Sequence, residues 1–257
     1  MTLQPSKIDL KITPAQKQQY REEGYFILED VLDSDDLQML RAKCDGLIAE
    51  QEAEMDRLGT DELELSRRNS RYFVFLAFKD HPDLASFIFS DRFAEICGAT
   101  VGDDALLFWE QFVVKGTSGT TKAAFSWHQD AGYVDGLPVP HYVNAWIALD
   151  DVSENNGTIY ILPYSKAGTR ERIEHRVDPD TGDRVGYFGE EPGVPVVAGA
   201  GSIAVFSSTS FHRSGPNVTP NRRRAYALQF AREPVHRDDG SIMGLEEWFL
   251  KGGKRVK

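Results

Sequence analysis

Two separate segments carry the best metal-ligand candidates of this chain, and they constrain its fold more than any other feature. Trp127-His128-Gln129-Asp130 contains a His and an Asp two positions apart, and His212 follows Asp130 by 82 residues. Residues two apart on a β-strand point to the same side, so His128 and Asp130 can bind one ion together. Two imidazoles and one carboxylate form the ligand set that holds one face of an octahedral non-haem Fe(II) and leaves the other face open. We therefore expect the fold to bring His212 beside the other two ligands.

An arginine downstream of His212 adds a second expected binding function. Arg223 comes eleven residues after His212, within residues 221–230, and the last part of this run alternates like a core strand. A guanidinium rooted in such a strand can grip a carboxylate through two hydrogen bonds, as a dicarboxylate co-substrate beside an iron requires. Alternation directs Arg222 and Arg224 to the opposite face, where we expect surface charge. A register shift of one residue would exchange these roles.

These residues together carry a family resemblance. The Trp-His-Gln-Asp motif, His212, Ser214 two residues later and Arg223 resemble the phytanoyl-CoA dioxygenase family of Fe(II)- and 2-oxoglutarate-dependent oxygenases. The resemblance implies a mainly β fold, a double-stranded β-helix (the jelly-roll of cupins) flanked by N-terminal helices. It also implies Fe(II) held by His128, Asp130 and His212, with 2-oxoglutarate and O2 as co-substrates.

Further motifs extend the resemblance over roughly residues 105 to 230. Gln111-Phe112-Val113-Val114-Lys115 is similar to a family strand whose Lys reaches 2-oxoglutarate, and Asn144–Asp150 is similar to a strand whose Trp lines the co-substrate site. Asn155–Pro163 resembles a turn-and-strand element of the family, but Tyr164-Ser165-Lys166 stands where Gly-Ser-His is usual. The co-substrate residues implied by the resemblance are Arg223, Ser214, Lys115, Gln111 and Trp146.

The resemblance also implies a reaction class. We expect decarboxylation of 2-oxoglutarate to succinate and CO2, coupled to oxidation of a small molecule or natural product, with hydroxylation favoured. Asp130 favours oxygen insertion over halogenation, because related halogenases carry a small residue at that position. Desaturation, epoxidation and cyclisation stay open, as do a non-catalytic cupin-like binding module and a zinc hydrolase, since zinc also accepts two His and one Asp. Candidate substrate contacts are Trp109, Phe125, Tyr133 and Asp135.

Composition limits the partners that we expect. The chain has 257 residues and a net charge of −11, with a pI near 5.1, which disfavours nucleic acid because binding phosphate backbones calls for a basic surface. No apolar run approaches the roughly 20 residues that span a bilayer, and the N-terminus lacks the apolar core of a signal peptide. Cys44 and Cys97 are too few for a disulfide scaffold, so we expect buried thiols and a cytoplasmic protein. The oligomeric state stays open.

The pattern along the chain predicts one domain over 1–257, with a helical lead-in and supporting strands to about residue 104 and the jelly-roll core over about 105–232. Thr13 and Gln16 form a capping box that predicts a helix from Pro14 to about Glu23. A second helix is predicted from Asp33 towards Met55, and a third over 82–97.

Three polar segments are candidates for a lid that orders when metal, 2-oxoglutarate and substrate are bound. They are residues 56–70, predicted to be a mobile surface segment, and the long connections 132–141 and 166–194. An ordinary solvated hairpin is the alternative for 166–194. His81, His141, His175 and His236 lie in polar contexts, so we expect them to be exposed and not metal ligands.

Overall fold

The computed structural model describes residues 10–119, 123–134, 138–179 and 182–257. The helices are α1 (Pro14–Glu23), α2 (Ser34–Leu58), α3 (Ala85–Ile88), α4 (Asp91–Thr100) and α5 (Tyr164–Ala167), with 3₁₀ turns at Ala77–Lys79, Pro82–Leu84 and Asp130–Tyr133. The first eight strands are β1 (Tyr25–Leu28), β2 (Glu62–Leu63), β3 (Ser66–Arg67), β4 (Arg71–Phe75), β5 (Ala105–Lys115), β6 (Phe125–His128), β7 (Tyr142–Ala148) and β8 (Ile159–Leu162). The others are β9 (Arg176–Val177), β10 (Arg184–Val185), β11 (Val194–Pro195), β12 (Ile203–Ser207), β13 (Phe211–Ser214), β14 (Arg223–Ala231), β15 (Glu247–Lys251) and β16 (Lys254–Arg255).

Helix α1 begins and ends as the sequence predicts. The Thr13 hydroxyl accepts a hydrogen bond from the Gln16 backbone N–H, and the Gln16 side chain accepts one from the Thr13 backbone N–H. Gly24 ends the helix in the left-handed conformation with φ 83°, which a side chain would strain. Among the helices described, none combines the length and the apolar character that spanning a bilayer requires.

Two antiparallel sheets form the β part of the fold. In the large sheet the strand order is β1-β12-β7-β14-β5-β4-β3-β2, and β15 extends the end of β5. In the small sheet the order is β11-β8-β13-β6. Strands β9 and β10 form a separate hairpin between β8 and β11 in the chain. Apart from the consecutive strands β2, β3 and β4, most neighbours in both sheets come from distant parts of the sequence, as expected of a jelly-roll.

The large sheet is covered on both faces. On one face, Phe112, Tyr226 and Leu228 pack with helix residues such as Leu40 and Phe93 in the main apolar core. On the other face a second apolar cluster joins large-sheet residues to the small sheet; its members include Trp146, Ala225, Ala227, Ile159 and Ile161. The molecule is therefore layered as helices, large sheet and small sheet, and the candidate site residues lie between the two sheets.

Strand alternation in β14 separates its arginines as predicted. Arg223 points between the sheets and is buried, whereas Arg222 and Arg224 point to the helix face. Both keep part of their surface exposed, as expected of surface charge, but both also form ion pairs. Arg224 donates to both carboxylate oxygens of Asp150 and to a carboxylate of α2, and Arg222 pairs with Glu52 of the same helix. These arginines tie α2 to the sheet.

Residues 56–70 differ from the mobile segment that their composition suggested. Helix α2 continues to Leu58, and β2 and β3 form a hairpin that leads into β4. The hairpin is held by Ser66, which is buried and hydrogen-bonds the backbone of Phe73, and by Arg68, which bonds Asp56 and Asp61. The charged residues of this segment therefore pair with one another at the protein surface.

The single helix predicted over 82–97 is also interrupted. It consists of a 3₁₀ turn and α3, then a break at Phe89 and Ser90, and then α4. Ser90 has the extended backbone conformation of a helix N-cap, so α4 begins afresh there.

A buried carboxyl group lies on the helix face of the large sheet. Glu110 has no exposed surface; its Oε1 accepts from the Phe78 backbone N–H at 2.7 Å, and its Oε2 has no hydrogen-bond partner among the described residues. Burial raises the pKa of Glu110 to about 7, because ionisation would leave a charge in an apolar layer.

Replacing this carboxyl should change how stability depends on pH. Between about pH 4.5 and 7 the unfolded chain ionises Glu110 while the folded protein keeps it neutral, so the wild type loses stability as pH rises. We expect Glu110→Gln to gain about 1–3 kcal/mol relative to wild type between pH 5 and pH 8 in urea unfolding. Glu233→Gln, at an exposed position, is the matched control. A stability difference for Glu110→Gln that does not change with pH would contradict the assignment.

Candidate metal centre

Pairing of β13 with β6 brings the two candidate histidines together. His212 lies directly opposite His128 in this antiparallel pair, and their ring centroids are 4.1 Å apart. Asp130 follows the end of β6 and begins a 3₁₀ turn. Gln129 between them keeps an extended backbone (φ −106°, ψ 137°), so His128 and Asp130 still point to the same side, as expected for a strand.

The three ligand atoms converge. Asp130 Oδ1 lies 3.8 Å from His128 Nε2 and 3.6 Å from His212 Nε2. One donor atom from each residue lies within 4.8 Å of the other two, and all three side chains are largely buried. The spacing leaves room for an ion between the donors, and the donor set is the one that non-haem Fe(II) accepts.

Backbone carbonyls set the tautomer of both histidines. His128 Nδ1 lies 2.8 Å from the Ser126 carbonyl oxygen, and His212 Nδ1 lies 3.3 Å from that of Ser210. Each Nδ1–H donates to its carbonyl, so each Nε2 presents a lone pair towards Asp130. Burial lowers the pKa of His128 to about 3 and that of His212 to about 4, so both rings are neutral donors at neutral pH.

A hydrogen-bonded chain orients the carboxylate. Gln229 Nε2 donates to Asp130 Oδ2 at 3.0 Å and to Asn144 Oδ1 at 2.6 Å. Gln229 lies opposite Asn144 on adjacent strands of the large sheet, so the two sheets are linked at this point. With Oδ2 engaged, Asp130 offers Oδ1 to an ion.

The residue between the two ligands anchors the following connection. The Gln129 backbone N–H donates to His175 Nε2 at 2.9 Å, while its side chain bonds the backbone of Glu171, Ile173 and Thr209. His175 is packed so closely that a Cβ added at Gly132 would lie 2.4 Å from its ring. Residues 171–175 of the connection are therefore bound to the ligand-bearing strand, and Gly186, directly after β10, donates its backbone N–H to the Trp127 carbonyl.

The other histidines divide into two groups. His236 is exposed, as expected, but the expectation of exposure is wrong for three others, which are partly buried and hydrogen-bonded. His175 contacts Gln129, His141 contacts the Tyr20 hydroxyl and His81 contacts the Lys43 ammonium. Within the described ranges none of them joins the cluster of three candidate ligands.

Three buried cations form a row beside the candidate centre. Arg71 on β4 lies opposite Lys115 on β5, and Lys115 lies opposite Arg223 on β14. Each of the three is less than a tenth exposed. Burial, together with the charges of Arg223 and Arg71, lowers the pKa of Lys115 well below its usual value, and burial lowers that of Arg223 to about 10. Like charges on paired strand positions repel one another, so an anion bound here would stabilise the row.

Arg223 and Lys115, the two predicted anchors of 2-oxoglutarate, differ in how many of their side-chain donors are already hydrogen-bonded. Arg223 donates one hydrogen bond to the Gly157 carbonyl at 2.9 Å and a long one to the Val113 carbonyl, and its Nε has no partner among the described residues. Its guanidinium carbon lies 5.3 Å from the centre of the Trp146 ring. The Lys115 ammonium donates to the Ala123 carbonyl and lies 4.8 Å from the centre of the Phe125 ring.

The remaining predicted residues are distributed around the same interior. Ser214 is buried on β13, two residues beyond His212 and opposite Phe125. Gln111 lies on the same face of β5 as Lys115, but its side-chain oxygen accepts from Trp109 Nε1 at 3.4 Å. Tyr133 packs edge-on against His128 with ring centroids 5.5 Å apart. Asp135 lies outside the described residues.

Several residues of the site escaped the sequence analysis. Arg71 begins the run Arg71-Tyr72-Phe73-Val74-Phe75, whose aromatic and β-branched residues are typical of a strand. Its NH1 is buried and has no hydrogen-bond partner in the part of the chain that the structure describes. Gln229 shares the inward face of β14 with Arg223, so alternation pointed to it too. Nothing in the sequence indicated His175.

Comparison with known proteins decides the family. The family model described as Phytanoyl-CoA dioxygenase (PhyH) matches residues 20–225, which is most of the chain. The chain belongs to the phytanoyl-CoA dioxygenase family. Family membership confirms the predicted enzyme class, an Fe(II)- and 2-oxoglutarate-dependent dioxygenase, and the expected jelly-roll fold with N-terminal helices is confirmed with it.

Individual members of the family are similar at low sequence identity. The ectoine dioxygenase of Streptomyces avermitilis is 25% identical over 236 residues, which cover 85% of this chain and 78% of that protein. The α-ketoglutarate-dependent carbocyclase SnoK from nogalamycin biosynthesis shares the fold with a TM-score of 0.70, at 21% identity and 91% and 94% coverage of the two chains. The epimerase SnoN, solved with Fe3+, α-ketoglutarate and nogalamycin RO, has a TM-score of 0.66 at 20% identity, with coverage of 95% and 94%.

The carboxylate-orienting chain yields a prediction about metal affinity. Gln229→Met keeps the length of the side chain but removes the hydrogen bond to Asp130 Oδ2, so the carboxylate can rotate away from the ion. We expect Fe(II) or Mn(II) to bind about 10- to 100-fold more weakly in anaerobic calorimetric titrations. Gln18→Met on the exposed side of α1 is the matched control. Wild-type affinity in Gln229→Met would show that Asp130 needs no such support.

Proposed function

We propose that His128, Asp130 and His212 hold Fe(II), that Arg223 with Ser214 and Lys115 holds 2-oxoglutarate, and that the enzyme hydroxylates a small molecule. The observation that carries the proposal is the convergence of two oriented Nε2 lone pairs and one carboxylate oxygen beside a row of buried cations. The buried carboxyl group of Asp183 offsets part of the charge of Arg71 and Lys115, whereas the hydrogen bonds of Arg223 go to backbone carbonyls among the described residues. A module that only binds metal has no use for this row of cations, and a zinc hydrolase has no use for a dicarboxylate anchor.

The side chains have distinct tasks in this proposal. Arg223 and Lys115 attract the distal carboxylate of 2-oxoglutarate, because an anion relieves the cost of keeping both cations buried. Arg71 extends the same positive row and makes it attractive to a dianion. Fe(II) held by His128, Asp130 and His212 would supply the activation of O2 that couples decarboxylation of 2-oxoglutarate, to succinate and CO2, to oxidation of the substrate. Tyr133 and Phe125 flank His128, where they limit the access of water to the reacting centre.

Asp130 in the third ligand position favours oxygen insertion over halogenation. With three protein ligands, the two oxygens of 2-oxoglutarate and O2 would use the remaining positions of an octahedral ion, and none would be left for a halide. Relatives show that the fold supports other outcomes, since those with similar structures are described as a carbocyclase and an epimerase. Assay of succinate release, with candidate small molecules screened for stimulation and the products identified by mass, would distinguish these outcomes.

The metal assignment can be tested by removing one ligand. We expect the wild type to bind one Fe(II) per chain and to form succinate from 2-oxoglutarate, and His212→Ala to lose both, because two remaining donors no longer hold the ion. Metal content and succinate are measured on the same preparations. His236→Ala, which removes an exposed histidine, should behave like the wild type. Full metal content and turnover in His212→Ala would overturn the assignment.

The co-substrate anchor can be tested by comparing two adjacent arginines. Arg223→Met removes a charged bidentate partner, and we expect 2-oxoglutarate to bind about 30- to 1000-fold more weakly in calorimetry of the Mn(II)-loaded protein. Arg224→Met should lower stability through the lost contacts with Asp150 but leave 2-oxoglutarate affinity within about threefold of wild type. The reverse result, with Arg224 needed and Arg223 dispensable, would mean that another surface binds the co-substrate.

A further inference from the structure

Four aromatic side chains form a continuous surface beside the candidate metal centre. Phe73 and Phe75 on β4 are stacked with ring centroids 5.6 Å apart, Phe75 lies 5.8 Å from Trp109 on β5, and Phe73 meets Phe125 edge-on at 5.5 Å. Phe73, Phe75, Trp109 and Phe125 are called the aromatic wall below. All four belong to the large sheet or to β6, and their side chains face the interior between the sheets.

The aromatic wall borders the candidate metal centre at two points. Trp109 lies opposite Gln229 on β14, the residue that hydrogen-bonds Asp130. Phe125 lies 6.3 Å from His128, measured between ring centroids. Tyr133 stands against His128 as well, perpendicular to its ring. A molecule in contact with the wall would therefore be next to both His128 and Asp130.

The wall is rigid and only partly covered. The indole of Trp109 is backed by Gly244, where an added Cβ would lie 2.9 Å from the ring, so the indole cannot retreat from the interior. Phe75, Trp109 and Phe125 nevertheless keep part of their surface exposed. Exposed aromatic faces held in fixed positions are typical of a binding surface more than of a core.

Building on the proposed function, we propose that the substrate presents a flat, unsaturated ring system to the aromatic wall. The wall offers ring faces from the stacked pair and ring edges from the Phe73–Phe125 contact, and both complement the quadrupole of another aromatic ring. A rigid planar ligand also loses little conformational freedom on binding, whereas a flexible aliphatic chain would lose much of it. In this proposal the aromatic wall selects flat ring systems as substrates, and the position of the metal centre determines which substrate atom reacts.

The test uses two probes with the same carbon skeleton, 2-naphthol and its saturated analogue decahydro-2-naphthol. Both are titrated anaerobically into the protein loaded with Mn(II) and 2-oxoglutarate, and binding is followed by calorimetry and by tryptophan fluorescence. We expect 2-naphthol to bind at least about tenfold more tightly than the saturated analogue, as one or two ring–ring contacts allow. Trp109→Leu and Phe75→Leu should each remove most of this preference without changing 2-oxoglutarate affinity.

The control and the contrary outcomes separate this inference from the proposed function. Trp248→Leu, which changes a tryptophan of β15 outside the wall, should keep the preference. Three results would contradict the proposal that the aromatic wall binds a flat ring system: equal binding of the two probes, no binding of either, or a preference that survives in both wall variants. None of these results would bear on 2-oxoglutarate binding. Failure of 2-oxoglutarate to bind would contradict the proposed function. In that case the same fluorescence titration with the two probes would still test whether the aromatic wall prefers a flat ring.

Discussion

Antiparallel pairing of β13 with β6 places His212 opposite His128, and the candidate active site depends on this contact between distant segments. The pair belongs to the small sheet, while Gln229 and Asn144, which orient Asp130, belong to the large one. The centre therefore forms only when both sheets are packed face to face. Apolar residues such as Trp146 and Ile161 hold the sheets together, so burial of that cluster also supports the ligand geometry.

The row of Arg71, Lys115 and Arg223 lowers the stability of the folded protein, because it places three cations side by side in the interior. Paired strand positions in an apolar interior normally carry apolar residues. Here burial and the charges of Arg223 and Arg71 lower the pKa of Lys115, and the buried carboxyl group of Asp183 offsets only part of that effect. Arg224, one residue from Arg223, is instead matched by Asp150 and Asp45 on the helix side. Arg224 thus has carboxylate partners, whereas the hydrogen bonds of Arg223 among the described residues go to backbone carbonyls, and this difference supports the proposal that Arg223 binds an anion.

The sequence was sufficient to predict contacts between residues that are a few positions apart in the chain. It was not sufficient to predict contacts that depend on which distant strands pair and in which register. The two-residue period of a strand was sufficient to pair His128 with Asp130 and to direct Arg223 inward. The neighbours of Arg71 and the contact of His175 with Gln129 follow from which strands lie side by side, and no local pattern encodes that. Charge density suggested a mobile segment at residues 56–70, because composition does not reveal that Arg68 pairs with Asp56 and Asp61.

Anomalous diffraction at the iron edge, from crystals grown anaerobically with Fe(II) and 2-oxoglutarate, tests the central claim most directly. The account predicts one iron per chain, bound by His128 Nε2, His212 Nε2 and Asp130 Oδ1, with a carboxylate of 2-oxoglutarate paired with Arg223. Iron bound elsewhere, a fourth protein ligand closing the open face, or 2-oxoglutarate away from the row of Arg71, Lys115 and Arg223 would contradict it.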